Sequence, residues 1–267
     1  MISPSGRHDL LRALALYLNS DFVAYHQFLT TTEAGIQKTR STLKALRGLP
    51  MPFTASSDLS AWKNLYRRIA EECRERDDFN VPDLVTSLND LTFESLKLSA
   101  RGRAAVHDLV HVRFGLTRGK RSDIAIGRPT PQECTAYAKM LRDELDGFLN
   151  GASKVRHQVQ ILSGDTSGLV AIRIAPDADT PVEIGVVEAS STQAKVMRDV
   201  RDRLVERRAQ WLYFDRNLRI YDGPNTYFLK PFQRLHWTRT QAIADAREII
   251  ADSLATEPPM SAAGSIA

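Results

Sequence analysis

The stretch "NGASKVRHQVQILSGDTSGLVAIRIA" (150–175) decides how this chain is read. Ahead of it, apolar residues recur about every 3.6 positions; within it, they alternate. Val159 and Ile161 are interleaved with Gln158 and Gln160, and Val170 and Ile172 with Ala171 and Arg173. A period of two puts successive side chains on opposite faces of a strand. "VRHQVQIL" (155–162) and "GLVAIRIA" (168–175) therefore read as two strands joined by "SGDTSG". "VEIGVVEA" (182–189), after the turn "PDADTP", reads as a third.

Immediately upstream lies a helix with a complete start signal. In "TPQE" (130–133), Thr130 takes the N-cap, Pro131 the first turn and Glu133 the third position of a capping box. Cys134, Tyr137, Leu141, Leu145 and Phe148 follow as one apolar stripe, closed by "NG" at 150–151. Downstream, "STQAKVMRDVRDRLVERRAQ" (191–210) returns to helical spacing, with Met197, Val200 and Leu204 inward. "WLYFDRNLRIYDGPNTYFLKP" (211–231) reads as a β-hairpin turning at "DGPN". A last helix over 239–253 and a low-complexity, disordered tail complete the chain.

Residues 1–129 are helical in pattern. Leu10, Leu11, Leu14 and Tyr17 share a face, as do Leu65, Ile69 and Cys73, with breaks at 46–58 and 76–83. "LTRGKRSDIAIGRPTP" (116–131) reads as a long basic loop. The expected class is α+β: a helical region 1–129, then an α+β domain 130–255, then the tail 256–267. Within that domain the expected order is a three-stranded antiparallel meander, a helix, a β-hairpin and a terminal helix.

Composition narrows the function classes. The 43% hydrophobic and 25% charged fractions across 267 residues belong to an ordinary globular protein. No apolar run approaches the roughly 20 residues that span a bilayer. The N-terminus reads as an amphipathic helix and not a signal peptide. Two distant cysteines, Cys73 and Cys134, predict buried thiols in a reducing cytoplasm. No G-x-G-x-x-G or G-x-x-x-x-G-K-[ST] loop occurs, so nothing supports a nucleotide-driven motor or a dinucleotide enzyme. Arginine outnumbers lysine, as in GC-rich bacterial proteins.

The net charge of +4 is unevenly spread. Segment 97–121 carries Lys97, Arg101, Arg103, Arg113, Arg118, Lys120 and Arg121 against Asp108 alone. Segment 216–239 carries Arg216, Arg219, Lys230, Arg234 and Arg239 against Asp222. Both are candidate polyanion faces. The second also packs aromatic rings among its cations, in "YFLKPFQRLHWTRT" (227–240). Rings stack on bases and cations neutralise phosphates. Arg216, Arg219, Tyr227, Lys230, Arg234, His236, Trp237 and Arg239 are thus the expected nucleic-acid contacts. The competing reading places half those rings in a core.

Two catalytic patterns come into question. The order helix, three strands, helix, strand resembles the core of PD-(D/E)xK nucleases, which hold Mg²⁺ on carboxylates beside a lysine. Glu188 stands at the acid position of the third strand, but Ser190 fills the lysine position and Ala171 the second-strand acid. Asp177, Asp179 and Lys195 are the available substitutes, and Mg²⁺ would be needed only in this case. In "RGRAAVHDLVHVRF" (101–114), Arg101 and His107 loosely resemble the Arg–His element of HEPN ribonucleases, and His107 with His111 resembles a zinc motif lacking its glutamate. The alternative packs Val106, Leu109 and Val110 inward and leaves both histidines flanking.

The expectation is a nucleic-acid-associated binding or assembly module of a bacterial DNA-handling system, such as restriction or phage defence. It needs no cofactor, and partner subunits or self-association are compatible with it. A divergent nuclease and a protein-interaction scaffold are the alternatives.

Overall fold

The computed structural model describes residues 8–30, 43–54, 57–75, 82–117, 123–149, 156–165, 167–175, 184–191, 194–195, 198, 218–222 and 225–256. The chain divides into two compact units, Met1–Arg121 and Ser122–Ala267. The division lies ahead of the Thr130 cap, so Pro129 and the short helix before it go with the second unit.

The first unit is helical: α1 (His8–Leu18), α2 (Asp21–Thr30), α3 (Leu43–Arg47), α4 (Ser60–Glu75), α5 (Pro82–Ser95), α6 (Ala100–His107) and α7 (Phe114–Thr117). Its core gathers Tyr17, Val23, Phe53, Trp62, Leu88 and Val106. Phe53 stands edge-on to both Tyr17 and Trp62, the geometry that ring quadrupoles favour. Leu11, expected inward, is exposed. Cys73 is half-buried, whereas Cys134 of the second unit is buried as expected. Ser99 caps α6, accepting the Gly102 N–H. α6 then runs without a break through a wider π-helical turn, Asp108–Arg113, where the Phe114 N–H donates to the Leu109 carbonyl five residues back.

The second unit opens with α8 (Asp123–Ile126), a turn of helix where a loop was expected. α9 (Pro131–Phe148) follows with its capping box formed as predicted. Phe148, assigned to its apolar stripe, is 52% exposed. Five strands come next: β1 (Arg156–Ser163), β2 (Ser167–Ala175), β3 (Ile184–Glu188), β4 (Leu218–Asp222) and β5 (Asn225–Pro231), then α10 (Arg239–Thr256). Of the helix predicted over 191–210, Met197, Val200 and Leu204 lie outside the described residues.

The sheet order is β3-β1-β2-β5-β4. The class is α+β, and the hairpin β4–β5 forms as expected, with Asp222 opposite Asn225. The meander does not form. β2 is antiparallel to β1, but β3 pairs in parallel with β1, on the side away from β2. Either arrangement runs β3 in the same direction as β1, so alternation in the sequence cannot tell them apart. β2 ends beside the start of β1, where Arg156 faces Ala175, and residues 176–183 join that end to β3 on the far edge.

One face of the sheet meets the helices. Val159, Ile161, Val170, Ile172 and Phe228 form a single core with Tyr137, Leu141 and Leu145 of α9 and Ala242, Ala246 and Ile249 of α10. No described helix is long and apolar enough to cross a membrane.

Candidate nucleic-acid interface

In β5, Phe228 faces the helices, so alternation turns Lys230 the same way. Lys230 is 3% exposed. Its ammonium lies 2.7 Å from Asp245 Oδ2 on α10. It also sits over the faces of Tyr137 and Trp237, 4.1 and 4.9 Å from the ring centroids. The Tyr137 hydroxyl donates to Asp245 Oδ2 and the Gln241 amide to Oδ1. Burial draws the Lys230 ammonium below its ordinary value, and Asp245 opposes that shift. Burial, reinforced by the Asp245 charge, raises the Tyr137 phenol. Burial also lifts the Cys134 thiol to about 11, which leaves it unreactive.

The aromatic-basic stretch is thereby largely accounted for inside the protein. Lys230 and Trp237 are core residues and reach no phosphate; Trp237 Nε1 donates to the Pro231 carbonyl. Arg219, on the helix-facing side of β4, pairs with Glu248 and Asp252 of α10, the latter at 2.9 Å. Arg234 is 2.9 Å from Glu133, the glutamate of the capping box, and also donates to the Ile124 carbonyl. His236 is half-buried in the single turn Arg234–His236, and Arg239 is half-buried at the start of α10. Tyr227 is half-buried on the opposite sheet face from Phe228. Arg216 lies outside the described residues.

The two nuclease patterns fare differently. Glu188 ends β3 exposed, and Lys195 is exposed; Asp177 and Asp179 lie outside the described residues. β1 lies between β2 and β3, so Ala171 and Glu188 are not on neighbouring strands. Among the described residues, no three His, Cys, Asp or Glu groups come together to hold a metal ion.

The first unit does assemble a site, around the π-helical turn. His107 ends α6 and His111 lies one turn on; their rings are 5.0 Å apart and tilted by 39°. Each ring meets an aspartate. Asp21 Oδ2 lies 2.6 Å from His111 Nε2, and Asp108 Oδ1 lies 3.2 Å from His107 Nδ1. Asp21, the first residue of α2, is itself clamped by Asn89 of α5. The Asn89 amide donates to its carboxylate at 2.8 Å, and the Asp21 N–H donates back to Asn89 Oδ1. The Asp21 hydrogen bond raises the His111 imidazole above its ordinary value, against partial burial. Both histidines stay about half-exposed, whereas Asp108 is 3% exposed. Val106 is buried and Leu109 and Val110 are half-buried, as the packing alternative required.

Lys97 and Arg101 are exposed on the same stretch, and Arg103 and Arg113 half-buried. Arg103 lies over the Phe93 ring. Sequence reasoning found both histidines but missed Asp21, which meets His111 from 90 residues away along the chain, and Asn89, which holds Asp21 from 68 residues away. Ser20-Asp21 at the start of a helical pattern marks a cap, but nothing local says which side chain that carboxylate will meet. No protein-family model, curated protein or solved structure matches this chain.

Proposed function

We propose that this chain is a nucleic-acid-associated binding module whose contact face is the α6–π-turn segment of the first unit. The observation that carries this reading is the burial of Asp108, the one acid between residues 97 and 121. With that carboxylate inside, the stretch presents Lys97, Arg101, His107 and His111 at the surface. Cations without an interspersed acid neutralise successive phosphates and release their counterions. The hairpin is the weaker candidate, because Lys230 is buried and Arg219 and Arg234 are half-buried, whereas Lys97 and Arg101 are exposed. A place within a bacterial DNA-handling system, such as restriction or phage defence, suits a basic module that carries no energy-coupling motif and depends on partner subunits.

The test is fluorescence anisotropy with labelled single- and double-stranded DNA and RNA, titrated across salt. Each phosphate contact contributes about 0.7–0.9 to the slope of log affinity against log salt. Arg101→Ala and Lys97→Ala are expected to lower that slope by about that much each. Binding that ignores salt, or that both variants leave unchanged, would sink the proposal.

A further inference from the structure

Resting on that reading, we infer that His107 and His111 together form a phosphate-binding site on the π-helical turn, which takes the phosphodiester of a nucleic-acid backbone. The argument turns on which ring nitrogen is already committed. Asp108 faces Nδ1 of His107 and Asp21 faces Nε2 of His111. A carboxylate only accepts, so in a neutral imidazole the proton resides on the nitrogen that faces it. The opposite nitrogens, Nε2 of His107 and Nδ1 of His111, make no hydrogen bond to any described residue. In the neutral ring each of these carries a lone pair and repels a phosphate oxygen. Protonation turns both into charged donors. With ring centroids 5.0 Å apart, the two imidazolium donors are close enough to reach one phosphate group.

The surroundings suit that ligand. Arg101 and Arg103 on α6 and Arg113 on the turn add positive charge. α2, packed against the turn, contributes Asp21, Tyr25 and His26, and α7 brings no titratable group. Asp108 is buried behind the rings, and Asn89 holds Asp21 in place. The phosphate site is therefore proton-linked: it fills as pH falls through the histidine range. The Asp21 hydrogen bond holds the proton on His111 to higher pH than in a free histidine.

The experiment uses the full chain and a labelled single-stranded RNA, with salt titrations at about pH 5.5 and about pH 8, on either side of the ordinary histidine value. Wild type should show a salt slope steeper by about 1.4 at the lower pH, from two added contacts at about 0.7 each. The double variant His107→Gln/His111→Gln keeps a neutral donor toward each aspartate, so it retains the fold; circular dichroism checks this. It should show the same slope at both pH values. A double variant that steepens as wild type does overturns the site. Inorganic phosphate that removes this pH-dependent share of binding at matched ionic strength supports the site, because the phosphodiester and the free anion offer the same acceptor oxygens. Failure of the wider reading looks different: RNA binding would be absent at about pH 8 in wild type and double variant alike.

Discussion

Removing an ammonium from water costs several kcal/mol unless its partners are well placed, and Lys230 has them. Asp245 supplies the counter-charge, three ring faces lie within 6 Å of the Lys230 nitrogen, and Tyr137 and Gln241 donate to the same carboxylate. Breaking such a pair leaves one charge uncompensated in the core. Asp245→Asn should therefore cost about 3–5 kcal/mol, read from urea unfolding followed by tryptophan fluorescence. A loss under about 1 kcal/mol would mean that water reaches the pair. The burial of Lys230 was legible in part. Phe228, Lys230 and Phe232 share one parity, so a strand that buries the two rings turns the lysine inward as well. The partner was legible too, since Asp245 interrupts the apolar stripe Ala242, Ala246, Ile249. What the sequence could not supply was the pairing of the two, because charge and rings together look the same on a surface as in a core. The Asp21–His111 contact was illegible for a simpler reason: it depends on how α2, α5 and the π-turn pack.

At the scale of elements, local signals located the helix starts and the strands, and long-range choices escaped them. The capping box at Thr130 formed because its two hydrogen bonds lie within four residues. The edge taken by β3 did not follow from its alternation, because both edges bury the same face. β2 shows how closely the elements approach. Gly168 stands opposite Lys230 in β5, and a β-carbon there would fall 2.4 Å from the Trp237 ring and 2.8 Å from Phe232. Glycine in a strand marks a place where another group needs that space. Gly168→Ala should displace the indole that covers Lys230 and cost about 1–3 kcal/mol. Near-ultraviolet circular dichroism would record the moved ring and thermal unfolding the lost stability. An unchanged spectrum and midpoint would show that the ring shifts aside without cost.

At the scale of the molecule, the cores of the two units share no residue: one draws on α1, α2, α4, α5 and α6, the other on the sheet with α9 and α10. A unit that buries its own apolar surface can open as its own cooperative segment. The charge chemistry of the two units differs as well. The second unit spends its cations on internal carboxylates: Arg219 on Glu248 and Asp252, Lys230 on Asp245, and Arg234 on Glu133. The first buries the lone acid of its basic segment and leaves cations outside. Ion pairs also tie elements of the first unit, Lys63 to Asp9 and His111 to Asp21, but its basic segment exposes Lys97 and Arg101 around one buried acid. Hydrogen exchange on the full chain separates the two units. Asp245→Asn should speed exchange in α9, α10 and β5 and leave the amides of α1 and α4 as protected as before. Salt-dependent binding should survive, since Lys97 and Arg101 are untouched. Exchange that quickens equally in both units would mean that they unfold together, and binding that disappears with Asp245 would return the contact face to the second unit.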